Sequence, residues 1–287
     1  AISGLDGLKP TLDIIKFTKI IAIANKEALI CGWTIIEKML KRFKTQFIPV
    51  DSEHFSIWYA LKNDNIRNIE KIFLTASGGP FLKLSLPKFK YINTKQALNH
   101  PRWKMGKKIS IDSATMMNKV FEVIEAKNIF NLSYDKISIL IHPESYLHAI
   151  LKFKNGMIKI IGHETSMKIP IFNTLYLDTQ KTLKTKTLNV KKLNNLNLGN
   201  VDYNRYPAVK LLYNLPEFSS LYETVLVSAN DELVKLFLER KIKFTDIFIQ
   251  LSKLNIYNKY KKIRPKNVNE IIKLSKYVRL KIATISV

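Results

Sequence analysis

Short apolar runs, each followed by polar residues and then by helical periodicity, constrain the fold of this chain more than any other feature. Residues 20–24 and 46–50 are such runs, and they lead into Asn25-Lys26-Glu27 and Asp51-Ser52-Glu53. Alternation of short strands with helices predicts an α/β fold, in which ligands bind at the carboxyl ends of the strands. We therefore expect functional side chains directly after both runs.

The pattern continues along the chain and changes near its end. Four further strands are predicted, at residues 72–75, 109–111, 137–142 and 147–161. A helix from Asp112 to about Ala126 follows the second of these. Residues 178–205 are rich in Lys, Asn and Thr without periodicity, which is typical of a linker. Residues 206–287 show helical periodicity with Lys-rich faces and predict a helical C-terminal domain.

The formal net charge of +24 makes nucleic-acid binding an alternative to be tested. Only 7 of the 47 basic residues are Arg, and nucleic-acid sites usually depend on the planar guanidinium group. Abundant Lys, Asn and Ile also fit compositional drift in an AT-rich genome. The single Cys31 excludes a disulfide scaffold and a thiolate zinc site. Apolar runs fall short of the roughly 18 residues that span a bilayer.

Asp51 and Glu53 are two residues apart at a predicted strand end, so their side chains are expected on the same side. Two adjacent carboxylates repel each other unless a cation or a proton lies between them. Oxygen ligands of this kind favour Mg²⁺ or Mn²⁺ over zinc. The alternative for an isolated pair is an exposed acidic turn.

The segment from Asp112 to Glu125 combines capping residues with a polar helix face. Asp112 and Ser113 are good N-cap residues, and Asn118, Glu122 and Glu125 share one face of the predicted helix. A helix start lined with Ser, Asn and Lys is suited to bind phosphate, and Glu122 could add a third carboxylate to a metal site. The alternative is a capped surface helix with solvated polar residues.

Two loops complete the candidate site. Ser77-Gly78-Gly79-Pro80 offers a flexible turn with a hydroxyl group, suited to close approach of a ligand. The stretch from His100 to Gly106 places Trp103 in a hydrophilic context, as a surface loop or as a lid. For His142 and His148 we expect supporting roles rather than catalysis.

Five blocks occur in order along the chain: Ala24-Asn25-Lys26-Glu27, Pro49-Val50-Asp51-Ser52-Glu53-His54, Ala76-Ser77-Gly78-Gly79-Pro80-Phe81, His100-Pro101-x-Trp103-x-Met105-Gly106 and Ile111-Asp112-Ser113-Ala114-Thr115-Met116-Met117-Asn118-Lys119. Together they resemble the 1-deoxy-D-xylulose 5-phosphate reductoisomerase family of the non-mevalonate isoprenoid pathway. The match extends from Gly7 to at least Pro207. Enzymes of that family rearrange the carbon skeleton of their substrate and reduce the resulting aldehyde with NADPH, yielding 2-C-methyl-D-erythritol 4-phosphate.

The resemblance implies a role for each candidate residue. The ligands of Mg²⁺ or Mn²⁺ would be Asp51, Glu53 and Glu122. The substrate oxygens near the metal would contact Lys26 and Ser52, and the catalytic residues would be Lys26, Glu53 and His100. The substrate phosphate would bind Ser77, Ser113, Asn118 and Lys119, with His100 nearby. The lid would be formed by Trp103 and Met105, and the nicotinamide cofactor would touch Asn25, Glu27 and Gly106.

Departures from the family pattern are few. Val120 replaces a Gly inside the helix that carries Glu122, Ser166 replaces an Asp, and Glu144 replaces a Gln. None of them removes a predicted ligand. No G-x-G-x-x-G-like turn occurs in the sequence, although family members begin with a glycine-rich turn that holds the NADPH pyrophosphate. We therefore expect an N-terminally truncated fragment that binds metal and substrate but binds and uses NADPH poorly.

These inferences divide the chain into four parts: residues 1–50 as the second half of a Rossmann-like NADPH-binding domain, 51–177 as the catalytic α/β domain, 178–205 as the linker and 206–287 as the helical domain. We expect a small sugar phosphate as substrate, no nucleic acid, no membrane contact and a homodimer. The expected location is the bacterial cytoplasm, or a plastid in a eukaryote. The alternatives to a reductoisomerase are a basic nucleic-acid-binding protein and an inactive, degenerate relative of the enzyme.

Overall fold

The computed structural model describes residues 2–177 and 180–285 and has the mixed α/β character that the sequence predicts. The strands are β1 (Ile20–Ile23), β2 (Gln46–Pro49), β3 (Ile69–Ala76), β4 (Ile137–Ile141), β5 (Leu147–Phe153) and β6 (Ile158–Gly162). The helices are α1 (Leu8–Ile15), α2 (Lys26–Phe43), α3 (Ser52–Ala60), α4 (Thr94–Leu98), α5 (Lys107–Thr115), α6 (Met117–Phe130), α7 (Lys168–Leu175), α8 (Val190–Leu193), α9 (Leu221–Leu238), α10 (Phe244–Ser252) and α11 (Val268–Ile285).

The strands form two sheets. β1 and β2 pair in parallel, with Ile23 opposite Pro49, so their carboxyl ends meet at one edge. The second sheet has the order β4-β3-β5-β6, in which β3 and β4 are parallel and the other neighbours are antiparallel. The predicted strands at 20–24, 46–50, 72–75 and 137–142 are confirmed.

Helices begin directly after the first two strands because suitable caps stand there. The Asn25 side chain accepts a hydrogen bond from the Ala28 N–H at 2.7 Å and starts α2. Asp51 accepts from the Glu53 N–H at 3.3 Å and starts α3. These caps place Lys26 and Glu53 in first helical turns at the edge where β1 and β2 end.

One hydrophobic cluster joins distant parts of the described chain. It includes Ile15 of α1, Ile36 of α2, Phe121 of α6, Val225 of α9 and Val278 of α11, all of them buried. The long helices α9 and α11 pack on each other, which confirms the predicted helical character of the C-terminal region. The active-site helices therefore rest on a core to which that region contributes.

The predicted strand at residues 109–111 is wrong, because this segment belongs to α5. Its alternating Ile-Ser-Ile pattern resembles a strand, but the Ser110 hydroxyl donates to the Gly106 carbonyl, a helical i to i−4 contact. Ile111 and Ala114 face the core at helical spacing. Asp112 and Ser113 are consequently inside α5 and do not cap the next helix.

The following helix, α6, begins after Met116, whose φ of 65° breaks the chain direction. It extends to Phe130, beyond the predicted end near Ala126. The single strand predicted at 147–161 is also wrong: a turn at Gly156, with φ of 86°, divides it into β5 and β6.

The predicted linker contains the short helix α8 and touches the second sheet where Gly199 pairs with Ile141. Its first residues, Asp178 and Thr179, lie outside the described residues, as do Ala1, Ser286 and Val287. The boundaries of the four predicted parts stay a prediction. Among the described helices, none is long and apolar enough to cross a membrane.

Candidate active site

A cavity of about 580 Å³ lies where β1, β2 and β3 end. All of the predicted site residues line it: Asn25, Lys26, Glu27, Asp51, Ser52, Glu53, Ser77, His100, Trp103, Met105, Gly106, Ser113, Asn118, Lys119 and Glu122. Residues separated by nearly a hundred positions are thus brought together at one edge of the α/β core.

Three carboxylates form the acidic side of this cavity. Asp51, Glu53 and Glu122 each offer an oxygen, and these oxygens lie within 4.8 Å of one another. The predicted proximity of Asp51 and Glu53 is confirmed, but its cause is the start of α3 rather than strand geometry. Glu122 reaches the same place from the second turn of α6.

Two lysines lie among these carboxylates. Lys26 Nζ is 2.8 Å from Asp51 Oδ2 and 3.1 Å from Glu122 Oε1. Lys119 Nζ is 2.6 Å from Glu53 Oε1 and also contacts Glu122. Burial alone would lower the pKa of Lys26, yet the surrounding carboxylates raise it well above its usual value. Both side chains are therefore ammonium ions that hold the acidic groups together.

The carboxylates nevertheless differ in their titration. Burial raises the pKa of Glu53 to about 7, and the neighbouring Glu122 adds to the effect. The pKa of Asp51 lies well below its usual value, because Lys26 and His54 outweigh the cost of its burial. The three carboxylates supply only oxygen ligands, and Glu53 gains from added positive charge, which fits Mg²⁺ or Mn²⁺.

His54 was not among the sequence candidates, although it ends one of the quoted blocks. Its ring is completely buried, with Nε2 2.9 Å from the Glu122 carbonyl and Nδ1 3.2 Å from Asp51 Oδ1. Glu125, on the helix face noted above, lies 3.7 Å from the same Nδ1. Burial lowers the pKa of His54, but Glu125 and Asp51 raise it to about 9. His54 is thus a buried cation behind Asp51.

The opposite side of the cavity is built from neutral groups. His100 Nδ1 accepts hydrogen bonds from the backbone N–H groups of Arg102 and Trp103, so Nε2 carries the proton. Nε2 donates to Ser77 Oγ at 3.0 Å. Burial lowers the pKa of His100 to about 4, which keeps the ring neutral. Ser77 Oγ also accepts from the Gly79 N–H at 3.0 Å.

The glycine turn packs directly on the end of α5. Gly78 and Gly79 have φ of 77° and 62°, in the left-handed region that favours glycine. A Cβ atom on Gly79 would lie 2.9 Å from the Ser113 carbonyl oxygen. The turn that follows Ser77 therefore packs closely on Ser113.

Asn118 and Lys119 are in the first turn of α6, beside this neutral region. Their polar ends contact carboxylates instead: Asn118 donates to Glu122, and Lys119 contacts both Glu53 and Glu122. Carboxylates are the strongest acceptors within their reach. These two predicted phosphate ligands thus connect the neutral and the acidic sides.

Trp103 and Met105 lie between α4 and α5, in the segment predicted as a lid. The segment is attached at Arg102, whose Nε donates to the Pro143 carbonyl at 3.1 Å. The Trp103 ring meets the buried His148 edge-on, with 6.4 Å between ring centroids. His148 therefore supports the lid residue, in line with the role expected for it.

Glu27, which also lines the cavity, belongs to an ionic group that sequence reasoning missed. Lys108 Nζ lies 3.0 Å from Glu27, 2.8 Å from Asp112 and 3.1 Å from Asp231. Only the short-range Lys108–Asp112 spacing on α5 could have indicated it, since Asp231 is more than a hundred residues away. The group ties α2 and α5 to α9.

Comparison with protein families identifies three matching regions. Residues 1–32 match the 1-deoxy-D-xylulose 5-phosphate reductoisomerase family profile. Residues 47–130 match the C-terminal domain of 1-deoxy-D-xylulose 5-phosphate reductoisomerase, and residues 163–281 match the DXP reductoisomerase C-terminal domain.

Individual relatives agree. The 1-deoxy-D-xylulose 5-phosphate reductoisomerase of Pelagibacter ubique (strain HTCC1062) is 61% identical over 100% of this chain and 75% of its own length. The Zymomonas mobilis enzyme in complex with NADPH superposes with a TM-score of 0.88 at 32% identity, covering 100% of this chain and 73% of that one. A DOX-P reductoisomerase in complex with NADPH, fosmidomycin and magnesium superposes with a TM-score of 0.91 at 33% identity, covering 100% of this chain and 74% of that one. The chain therefore belongs to the 1-deoxy-D-xylulose 5-phosphate reductoisomerase family.

Proposed function

We propose that this chain carries the site for the divalent-metal- and NADPH-dependent conversion of 1-deoxy-D-xylulose 5-phosphate to 2-C-methyl-D-erythritol 4-phosphate. The observation that carries the proposal is that one cavity is lined both by an acidic, metal-suited cluster and by a neutral group of hydroxyl and imidazole side chains. A sugar phosphate presents vicinal oxygens at one end and a phosphate at the other, and the two sides match those ends.

Asp51, Glu53 and Glu122 are proposed to hold Mg²⁺ or Mn²⁺. A divalent ion bound there supplies Lewis-acid polarisation of the substrate's carbonyl and hydroxyl oxygens. Lys26, held by Asp51 and Glu122, offers hydrogen-bond donors to the same oxygens. Ser52 lies beside Glu53 at the start of α3 and donates to its Oε2 at 2.5 Å. Glu53 is also the proposed catalytic carboxyl beside these oxygens, and as a ligand of the metal it would be held in its carboxylate form.

The phosphate is proposed to bind to Ser77 and Ser113 on the neutral side and to Asn118 and Lys119 where the two sides meet, with His100 nearby. Because neutral His100 donates through Nε2 to Ser77 Oγ, it supports the phosphate site through that serine rather than as a fixed charge. Trp103 and Met105 cover the cavity and exclude water from the reacting carbons. Asn25, Glu27 and Gly106 are proposed to contact NADPH, the cofactor present in two of the solved relatives.

The experiment is calorimetric titration of Mn²⁺ and then 1-deoxy-D-xylulose 5-phosphate into the chain. NADPH is then added and its consumption is measured, which we expect to be slow because the sequence has no glycine-rich pyrophosphate turn. We expect the metal to bind and the substrate to bind more tightly once the metal is present. Glu37→Gln, which changes an exposed carboxylate paired with Lys41, is the control that should leave both affinities unchanged. The proposal is overturned if the wild-type chain fails to bind Mn²⁺ or fails to bind the substrate.

A homodimer is part of the proposal. Edge strand β6 and the turn before it expose apolar side chains, with Met157 at 64% and Ile158 and Ile160 each at 55% exposure, which suits contact with a second copy. The bacterial sources of the named relatives favour the bacterial cytoplasm over a plastid as the predicted compartment. The relatives give no support to the nucleic-acid-binding alternative or to an inactive protein.

A further inference from the structure

A buried tyrosine from a distant part of the chain touches the glycine turn from behind. The Tyr206 hydroxyl donates to the Gly78 carbonyl at 2.7 Å, and the residue is 1% exposed. Tyr206 precedes the short helix Pro207–Asn214 and lies well over a hundred residues after the turn. Its backbone is itself anchored, since the Tyr206 N–H donates to the Asp202 carbonyl at 2.8 Å.

The contact is made to one particular peptide group. In the peptide that joins Gly78 to Gly79, the carbonyl accepts a hydrogen bond from the Tyr206 hydroxyl and the N–H donates one to Ser77 Oγ. Both glycines have positive φ, and glycine backbone rotates more freely than that of any other residue. Without the tyrosine hydroxyl, this peptide plane could rotate and withdraw its N–H from Ser77.

The Ser77 hydroxyl has two acceptor positions and one proton. The Gly79 N–H and the His100 Nε2–H both donate to its oxygen. With both acceptor positions filled, the hydroxyl proton is directed away from these partners and is available to an oxygen of a ligand in the cavity. An oriented hydroxyl donor of this kind suits a phosphate oxygen.

We infer that Tyr206 is a positioning residue for phosphate binding, which fixes the Gly78–Gly79 peptide and thereby aims the Ser77 hydroxyl at the substrate phosphate. The inference rests on the proposed function and adds to it a residue outside the cavity lining. The neighbouring Arg205 also links this part of the chain to the glycine turn. Its Nη1 donates to the carbonyls of Phe81 and Leu84, just beyond the turn, at 2.8 and 2.5 Å.

The test compares Tyr206→Phe with Tyr203→Phe. Tyr203 is a matched control because, among the described residues, its hydroxyl has one partner, the surface hydroxyl of Tyr213, which donates to it at 3.0 Å. Binding of 1-deoxy-D-xylulose 5-phosphate and of inorganic phosphate is measured by calorimetry in the presence of Mg²⁺, and Mn²⁺ affinity is measured separately. We expect Tyr206→Phe to weaken both phosphate ligands about fivefold, the effect of one lost hydrogen bond, while Mn²⁺ affinity stays within about twofold. Tyr203→Phe should change nothing.

A double-mutant cycle with Ser77→Ala separates this role from general support of the fold. If Tyr206 acts through Ser77, Tyr206→Phe should have no further effect on phosphate affinity once Ser77 is Ala. Additive losses, an equal loss of Mn²⁺ affinity, or unchanged phosphate binding by Tyr206→Phe would each overturn the inference. Wild-type chain that binds no substrate overturns the proposed function itself, so the two failures are distinguishable.

Discussion

The two sides of the cavity differ in how their side chains are held: one by ion pairs, the other by hydrogen bonds between neutral groups. The metal side is built from buried charges, in which Asp51, Glu53 and Glu122 are held by Lys26 and Lys119. The phosphate side has a neutral imidazole and a glycine turn, whose positions are set by backbone hydrogen bonds. Charges in a buried cluster depend strongly on each partner, whereas a neutral network depends on local shape.

The difference predicts how each side responds to substitution. Removing one member of the charged cluster leaves the remaining charges without their partner, so that metal affinity and the stability of the whole cluster both fall. Removing one member of the neutral network changes the aim of a single donor. Four predictions follow this contrast, from the largest expected effect to the smallest.

Glu122→Gln should have the largest effect. It removes one of three oxygen ligands and a carboxylate that both lysines contact. We expect Mn²⁺ affinity to fall by more than about 100-fold, since even groups that merely support ligands contribute 10- to 100-fold. Titration followed by calorimetry measures this, with Glu37→Gln as the exposed control. Affinity within a few-fold of wild type would mean that Glu122 is not a ligand.

The two histidines should give pH dependences of opposite sign in metal-free protein. His54 has a folded-state pKa raised from 6.5 to about 9, so its stabilising contribution is present below pH 6.5 and lost as the pH rises through 9. The shift corresponds to about 3 kcal/mol for this fully buried ring. His100 has a pKa lowered to about 4, so it costs stability as the pH falls from 6.5 towards 4.

Urea unfolding of wild type, His54→Gln and His100→Asn across this pH range measures both contributions. The stability difference between wild type and His54→Gln should shrink above neutral pH. The difference for His100→Asn should shrink below pH 6.5. Difference curves with the same sign would contradict the assignment of one charged and one neutral side.

Gly79→Ala tests the shape of the neutral side. Its Cβ would lie 2.9 Å from the Ser113 carbonyl oxygen at a φ of 62°, so both contact and backbone strain oppose the change. We expect a loss of about 2 to 3 kcal/mol in unfolding free energy together with weaker phosphate binding. Gly156→Ala is the control: its φ is 86°, but no atom of the described residues lies within 4 Å of the added Cβ. This variant should lose only about 1 kcal/mol of unfolding free energy and should keep its phosphate affinity. Equal losses for the two variants would show that packing on Ser113 is unimportant.

Arg102→Ala should have the smallest effect. The side chain is exposed and attaches the lid by one hydrogen bond from Nε to the Pro143 carbonyl. Because such surface contacts contribute less than about 1 kcal/mol, substrate should dissociate about twofold faster with unchanged Mn²⁺ affinity. Stopped-flow fluorescence of Trp103 reports the dissociation. A tenfold change would place the lid among the main determinants of binding.

Much of the site was predictable because its residues follow strand ends. Runs such as residues 20–24 and 46–50 identify the edge at which Lys26 and Asp51 lie, and α6 spacing places Asn118 against Glu122. Local pattern failed at Ile109–Ser110–Ile111, where alternation predicted a strand. There the core contacts of Ile111 and the hydroxyl contact of Ser110 favour a helix.

Other features were not determined by local spacing alone. His54 is charged because Glu125 and Asp51 converge on it, and Tyr206 touches a turn 128 residues earlier in the chain. Lys119 was expected to bind the phosphate, but it forms ion pairs with Glu53 and Glu122, because α3 brings Glu53 within its reach. Each depends on which side chains from other elements meet in space.

The amino-acid sequence by itself determined the α/β class, because apolar periodicity acts over a few positions, and its motif blocks carried the resemblance that implied the family and the residues around the cavity. Only the tertiary structure decided which of those groups are charged, which are neutral and which way each donor points. Burial and distant partners set these properties, since the cost of an unpaired charge or a free hydroxyl depends on the groups that surround it after folding.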